Sequence, residues 1–147
     1  MMGPSALLLA ATLVAAAPTL PAPGMASVVA GARACLALMA GGAAPAGWVA
    51  TPPALARTDG QSFARDGVAI TASRRGHGAC WLQARKDGAY HMRELADGLA
   101  TALNARQTEA LGHVLLHLSD GRLAVLDGAQ RGGSSYVFIR IADAKGT

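Results

Sequence analysis

The chain begins with an apolar run, Ala6 to Ala17, and three prolines follow it closely. The run is too short to cross a bilayer, which takes about 20 residues, and its length and small flanking residues are typical of a secretory signal peptide. Residues 1–26 are therefore predicted to be a signal peptide, cleaved after Ala16 or after Ala26. Because no Lys or Arg precedes the run, an uncleaved leader that loosely anchors the chain to a membrane is the alternative.

Helical periodicity marks two segments beyond the leader. Ser27 is predicted to cap a helix over Val28–Ala40, in which apolar residues recur at three- and four-residue steps and Cys35 lies on the apolar face. A second, amphipathic helix is predicted from about His91 to Arg106. Both helices therefore need an apolar surface to pack against.

Between these helices, residues 41–66 contain three prolines and little periodicity, which predicts a long loop. A short helical turn is expected at 53–57 within this loop. Trp48 is expected to pack on the core, because a large aromatic side chain in a chain this poor in aromatics usually serves as an anchor.

Five segments have the composition or the alternation of β-strands. The clearest alternation places Cys80, Leu82 and Ala84 on one face and the residues between them on the other. Asp120-Gly121 between two apolar runs is a strong hairpin signal. The predicted strands are 68–72, 79–85, 113–118, 122–126 and 136–142.

The order of these elements predicts a single α+β domain over 27–147, in which two helices pack on one face of an antiparallel sheet of about five strands. Cys35 and Cys80 both face inward and are the only two cysteines. In an exported chain an even number of cysteines predicts a disulfide, which here links the N-terminal helix to a strand. The alternative is a pair of buried free thiols in a cytosolic protein.

All thirteen Lys and Arg residues follow the leader, so the exported chain keeps the net charge of +4. Arg74 and Arg75 at one turn, with Arg85 and Lys86 at another, form a basic patch if the two turns lie together. Outside the cytosol such a patch favours an anionic envelope component or an acidic protein rather than nucleic acid as partner. The alternative is that the charge serves general solubility.

No motif for a metal, a cofactor or a catalytic site is predicted. His113 and His117 are four residues apart on a strand, which separates them by about 13 Å, too far to share a zinc ion. Gly132-Gly133-Ser134 is interpreted as a hairpin turn, since it lacks the spacing of a nucleophile elbow. His77 and His91 are candidate general bases only because they are histidines, whose ordinary side-chain pKa lies near neutral pH.

Three short segments, Ala34-Cys35-Leu36, Gly47-Trp48 and Gly78-Ala79-Cys80, resemble those of uncharacterised small secreted one-disulfide proteins of high-GC proteobacteria. The resemblance covers about residues 30–85 and supports the disulfide. The function predicted from all these patterns is that of an exported, periplasmic or secreted, non-enzymatic binding or accessory protein with no transmembrane span in the mature chain. The alternatives are a small cell-envelope hydrolase with a site assembled from dispersed residues, or an inhibitor-like partner of a secreted enzyme that presents the 41–66 loop.

Overall fold

The computed structural model describes residues 22–52, 60–73 and 78–143, which form one antiparallel sheet of eight strands and two helices. The helices are α1 (Met25–Met39) and α2 (Met92–Leu103). The strands are β1 (Val49–Thr51), β2 (Gly60–Arg65), β3 (Val68–Ser73), β4 (Ala79–Arg85), β5 (Arg106–Ala110), β6 (His113–His117), β7 (Arg122–Arg131) and β8 (Ser134–Asp143). Their order across the sheet is β1-β2-β3-β4-β8-β7-β6-β5.

The α+β arrangement is confirmed, but the prediction of about five strands is wrong, because β1, β2 and β5 join the five strands that the sequence indicates. β1 and β2 occupy part of the segment 41–66 that was predicted to be a loop, and β5 begins where the second helix was predicted to end. β1 and β5 are the two edge strands of the sheet, and β2 lies next to β1. Edge strands bury little surface, as the mostly exposed β5 illustrates, and therefore carry no apolar alternation for a sequence pattern to detect.

The sheet consists of two similar halves that meet where β4 pairs with β8. Each half has one helix followed by four strands in an antiparallel meander. Asp66-Gly67 turns β2 into β3, and Asp120-Gly121 turns β6 into β7 at the corresponding place in the second half. Asp66-Gly67 is therefore a hairpin signal like Asp120-Gly121, whereas the lack of periodicity over 41–66 predicts that Asp66 ends a loop.

The core lies between the helices and one face of the sheet. α1 packs on β3 and β4, and α2 packs on β5, β6 and α1. Gly31 allows α1 to approach the sheet closely, because a Cβ atom there would lie 2.6 Å from Leu82 Cδ1 and 2.8 Å from Val68 Cγ1. Trp48 packs against this core, as predicted.

The predicted disulfide is confirmed: Cys35 of α1 and Cys80 of β4 are bonded and fully buried. α1 begins three residues earlier than predicted, with Gly24 rather than Ser27 at the N-cap position. Its extra N-terminal turn is stabilised by Met25, which packs against the core.

Neither helix within the described ranges has the length and apolar character needed to cross a membrane. The predicted apolar leader segment, the predicted helical turn at 53–57, and Arg74, Arg75 and His77 lie outside the described residues.

Candidate binding surface

Because both helices of the described residues pack on the same face of the sheet, neither of them covers the opposite face, which we call the open face. The strand register aligns Thr71, Trp81, Arg140 and Val125 in one row across this face. A neighbouring row contains Ala69, Gln83, Phe138 and Asp127. The side chains that alternate with these rows are buried under the helices, as the full burial of Ile141 and Val137 shows.

The centre of the open face is aromatic and contains a small cavity. Three of the six aromatic residues in the chain lie on this face, at positions 81, 136 and 138. The rings of Tyr136 and Phe138 are in tilted contact, with centroids 6.4 Å apart. Beside them a cavity of about 200 Å³ is lined by the side chains of Ala69, Thr71, Trp81, Gln83 and Phe138, with Leu82 and Ile139 beneath.

Among the described residues, the one hydroxyl that lines this cavity, that of Thr71, is already hydrogen-bonded. The hydroxyls of Thr71 and Ser62 share a hydrogen bond of 2.9 Å, and each residue is only 6% exposed. This pair lies on the open face, since Ser62 is the register partner of Thr71 on the adjacent strand. A molecule that enters the cavity therefore meets aromatic walls and no unpaired hydroxyl.

Exposed arginines share the open face with the aromatic centre. Arg106, Arg131 and Arg140 belong to the open face by register and are exposed, and no carboxylate of the described residues forms a salt bridge with any of them. The guanidinium of Arg131 lies over the ring of Phe138, 5.5 Å from its centroid. Cation–π contact of this kind leaves the charge available to a further partner.

Most acidic residues of the described strands lie on the helix side of the sheet. Asp127 is the one carboxylate on the open-face side of the strands in the described ranges, and its Oδ1 lies 3.6 Å from His113 Nδ1. Other carboxylates pair on the helix side or at strand ends, as Glu109 does with Arg93 and Asp120 with Arg122. The net charge of +4 is therefore distributed unevenly, with an excess of positive charge on the open face.

Of the predicted basic patch, the structure describes Arg85 and Lys86. Arg85 Nε lies 2.7 Å from Asp87 Oδ2, and Lys86 Nζ lies 5.8 Å from the centre of the Tyr90 ring. Asp87 thus offsets the charge of Arg85. Ser73 and Gly78, which flank the undescribed Arg74 and Arg75, lie about 20 Å away at the other end of β4.

The histidines have separate surroundings. His113 and His117 lie on the same face of β6, and His117 Nε2 is 2.8 Å from Thr108 Oγ1. His91 precedes α2, and its backbone N–H donates a hydrogen bond to the Glu94 carboxylate. The described parts of the chain contain no group of three His, Cys, Asp or Glu residues able to hold a metal ion.

Sequence reasoning missed the open face as a site, although its parts were visible. The alternation in 79–85 placed Trp81 and Gln83 on the outward side, and that in 136–142 did the same for Phe138 and Arg140. The missing information was that β4 and β8 are neighbours, a long-range pairing that periodicity does not contain. No protein-family model, curated protein or solved structure matches this chain.

Proposed function

We propose that this chain is an exported, non-enzymatic binding protein whose open face holds an acidic protein partner. The observation that carries this proposal is the set of three exposed arginines, Arg106, Arg131 and Arg140, that have no carboxylate partner within the described residues and lie on the same face as an aromatic cavity. An apolar centre with a charged border is the usual organisation of a protein-binding surface.

The types of side chain favour a protein over other anionic partners. Trp, Tyr and Arg are the residues most enriched among those that dominate binding energy in protein interfaces, and all three types occur together at Trp81, Tyr136 and Arg140. Arginine can hold a carboxylate through two parallel hydrogen bonds. An excess of one charge on a single face also accelerates association with an oppositely charged surface.

The periplasm or the extracellular space is the proposed location. The apolar leader segment supports export, and a disulfide such as Cys35–Cys80 persists mainly in oxidising compartments. Within this proposal cleavage after Ala16 is favoured over cleavage after Ala26, because the second cut would remove Met25. That residue begins α1 and packs against the core.

The proposal is tested by site-specific photo-cross-linking in the cell that makes the chain. A benzophenone amino acid replaces Gln83 on the open face or, as the matched control, Thr101 on the exposed side of α2. We expect an acidic protein to be cross-linked in the exported fraction from position 83 and not from position 101. The double variant Arg131→Glu/Arg140→Glu should abolish that product. Identical products from both positions, or a product unaffected by charge reversal, would contradict the proposal.

A further inference from the structure

We infer that the cavity between Trp81 and Phe138 is an anchor pocket for one apolar side chain of the acidic partner, and that the partner carries a carboxylate within two residues of that anchor. This inference rests on the proposed function and makes it more specific. The recognition sequence in the partner is an aromatic residue or leucine flanked by Asp or Glu, and it binds at the pocket between Trp81 and Phe138 on the open face.

The size of the cavity indicates a single side chain. Its volume of about 200 Å³ is below the roughly 300–1,000 Å³ of pockets that enclose small-molecule ligands. Side chains that dominate interface energies typically fill small, well-packed pockets near the centre of the contact area. An aromatic ring is well suited to this one, because Trp81 and Phe138 provide ring surfaces on its walls.

The chemistry of the lining selects an apolar guest. Thr71 Oγ1 is hydrogen-bonded to Ser62. An apolar side chain that enters the pocket therefore leaves no hydroxyl of Thr71 without a hydrogen-bond partner. A cationic anchor is disfavoured by Arg131 and Arg140 on the same face, whose guanidiniums form no salt bridge within the described residues.

Two arginines lie beside the walls of the pocket. Arg140 is the register partner of Trp81 on the adjacent strand, and the guanidinium of Arg131 lies over Phe138. Adjacent strands are about 4.8 Å apart, and residues two positions apart in an extended segment are separated by about 6–7 Å. A carboxylate two positions from the anchor in an extended partner segment therefore comes within reach of one of these guanidiniums.

The test uses defined peptides and the fluorescence of Trp81. The variant Trp48→Phe leaves Trp81 as the sole tryptophan, and the probes are the acetylated, amidated peptides Asp-Glu-Phe-Glu-Asp and Asp-Glu-Ala-Glu-Asp. We expect the Phe peptide to bind about tenfold more tightly or better, as an anchor residue requires. Equal binding of the two peptides, or no binding of either, would overturn the anchor pocket.

Two pocket variants and one control locate the effect. Ala69→Leu fills the cavity and Phe138→Ala removes one wall, so either variant that keeps the melting temperature of the parent should lose the preference for the Phe peptide. Ala110→Leu adds the same side chain at an exposed position on the far edge of the open face and should retain the preference. A preference that survives in both folded pocket variants would contradict the inference.

The failure of this inference is distinguishable from failure of the proposed function. If charge reversal at Arg131 and Arg140 abolishes the protein cross-link while the pocket variants leave it intact, the anchor is wrong and the acidic-partner surface stands. Vesicles of phosphatidylglycerol test whether the partner is an anionic lipid surface instead of a protein. Binding to these vesicles that depends on the two arginines, with no peptide binding and no protein cross-link, would overturn both proposals in favour of an anionic lipid surface.

Discussion

Cys35 and Cys80 connect the first helix to one of the two central strands of the sheet, with their Cα atoms 5.6 Å apart. Both side chains are fully buried, so the bond lies in the core and not at the periphery. It closes a loop with a sequence separation of 45 and thereby links α1 to the strand that carries Trp81 on its other side. The disulfide therefore supports the strand from which part of the proposed binding surface is built.

Reduction of this disulfide should lower the free energy of unfolding by about 4 kcal/mol. The bond restricts the unfolded chain, and for a loop of this length the lost conformational entropy corresponds to about that free energy. The measurement is urea denaturation with and without reductant, with thiol labelling to confirm that the bond is broken. The double variant Cys35→Ala/Cys80→Ala is the control and should not respond to reductant. An unchanged midpoint in the fully reduced parent chain would contradict the prediction.

Gly31→Ala should destabilise the chain by roughly 1 kcal/mol, although alanine is the better helix former. The new methyl group would lie 2.6 Å from Leu82 Cδ1 and 2.8 Å from Val68 Cγ1, and both neighbours are held in the core. Overpacking of this kind typically costs about 1–3 kcal/mol, which exceeds the gain in helix propensity.

The matched control for this change is Gly98→Ala in α2. There the new atom would meet only the flexible end of Met25 at 3.3 Å, so the helix propensity gain of up to about 1 kcal/mol should dominate. Thermal denaturation of both variants measures the difference. A melting temperature that changes in the same direction for both would show that close packing at Gly31 does not decide its effect.

Local patterns predicted the elements that bury a full apolar face. β4 has the predicted bounds, Ala79–Arg85, because its inward residues alternate strictly with outward ones. β5, with the sequence Arg-Gln-Thr-Glu-Ala, was not predicted because its stability comes from β6 and from contacts to α2 such as Gln107 with Asp97. Such contacts join residues that no local pattern relates.

The candidate surface was predictable only in part. The outward positions of Trp81 and Arg140 follow from alternation, but their direct pairing depends on β4 and β8 being neighbours. That pairing joins strands from the two halves of the chain, between which α2 and three other strands intervene. The excess of positive charge on the open face was likewise not predictable from the sequence, because Arg106, Arg131 and Arg140 are dispersed among acidic residues there.

Leu111→Asn should stabilise the chain by about 1 kcal/mol. Leu111 has φ 53° in the turn between β5 and β6 and is 98% exposed. Its left-handed backbone conformation is therefore strained, and its exposed side chain gains almost no stabilisation from burial. Asn-Gly is the preferred pair for such a two-residue hairpin turn, and Gly112 already follows. Urea denaturation measures the gain.

Val49→Asn is the control for removing an exposed apolar side chain, since Val49 is 66% exposed but lies in the extended strand β1. Val49→Asn should not increase the free energy of unfolding, because asparagine is unfavourable in strands. Equal stabilisation by both substitutions would mean that loss of exposed apolar surface, and not relief of backbone strain, is the cause.

Arg122→Ala should lower the free energy of unfolding by about 1 kcal/mol. The Arg122 side chain is 19% exposed and lies 3.3 Å from both Asp120 and Asp143, so it connects the β6–β7 turn to the end of β8. Arg140→Ala is the matched control. Because Arg140 is exposed and forms no salt bridge within the described residues, its removal should change stability by less than about 0.5 kcal/mol.

Chemical denaturation of the two variants distinguishes an arginine that stabilises the fold from one that is available for binding. If Arg140→Ala costs as much as Arg122→Ala, Arg140 has a structural role and the proposed use of its charge for a partner is weakened.

Tyr90 should make stability fall at alkaline pH. Its side chain is 6% exposed and its hydroxyl is buried without a hydrogen-bond partner within the described residues. Burial raises the pKa of Tyr90 above the ordinary value of 10.0, and this effect outweighs the nearby Lys86 ammonium, whose charge would favour the phenolate. In a Tyr136→Phe background, tyrosinate absorbance should therefore show a single titration of the folded chain with its midpoint above 10.0.

The sign of the stability effect follows from this shift. Below pH 10 the phenol is protonated in both states, so its contribution is fully present. As the pH rises through 10 towards the higher folded pKa, the unfolded chain loses the proton first, and stability declines. In the Tyr136→Phe background, Tyr90→Phe should remove this part of the decline. The phenylalanine variant also loses a buried hydroxyl that has no hydrogen-bond partner within the described residues, so its stability at neutral pH should equal or exceed that of the parent. Parallel stability curves for the two chains across the alkaline range would contradict the prediction.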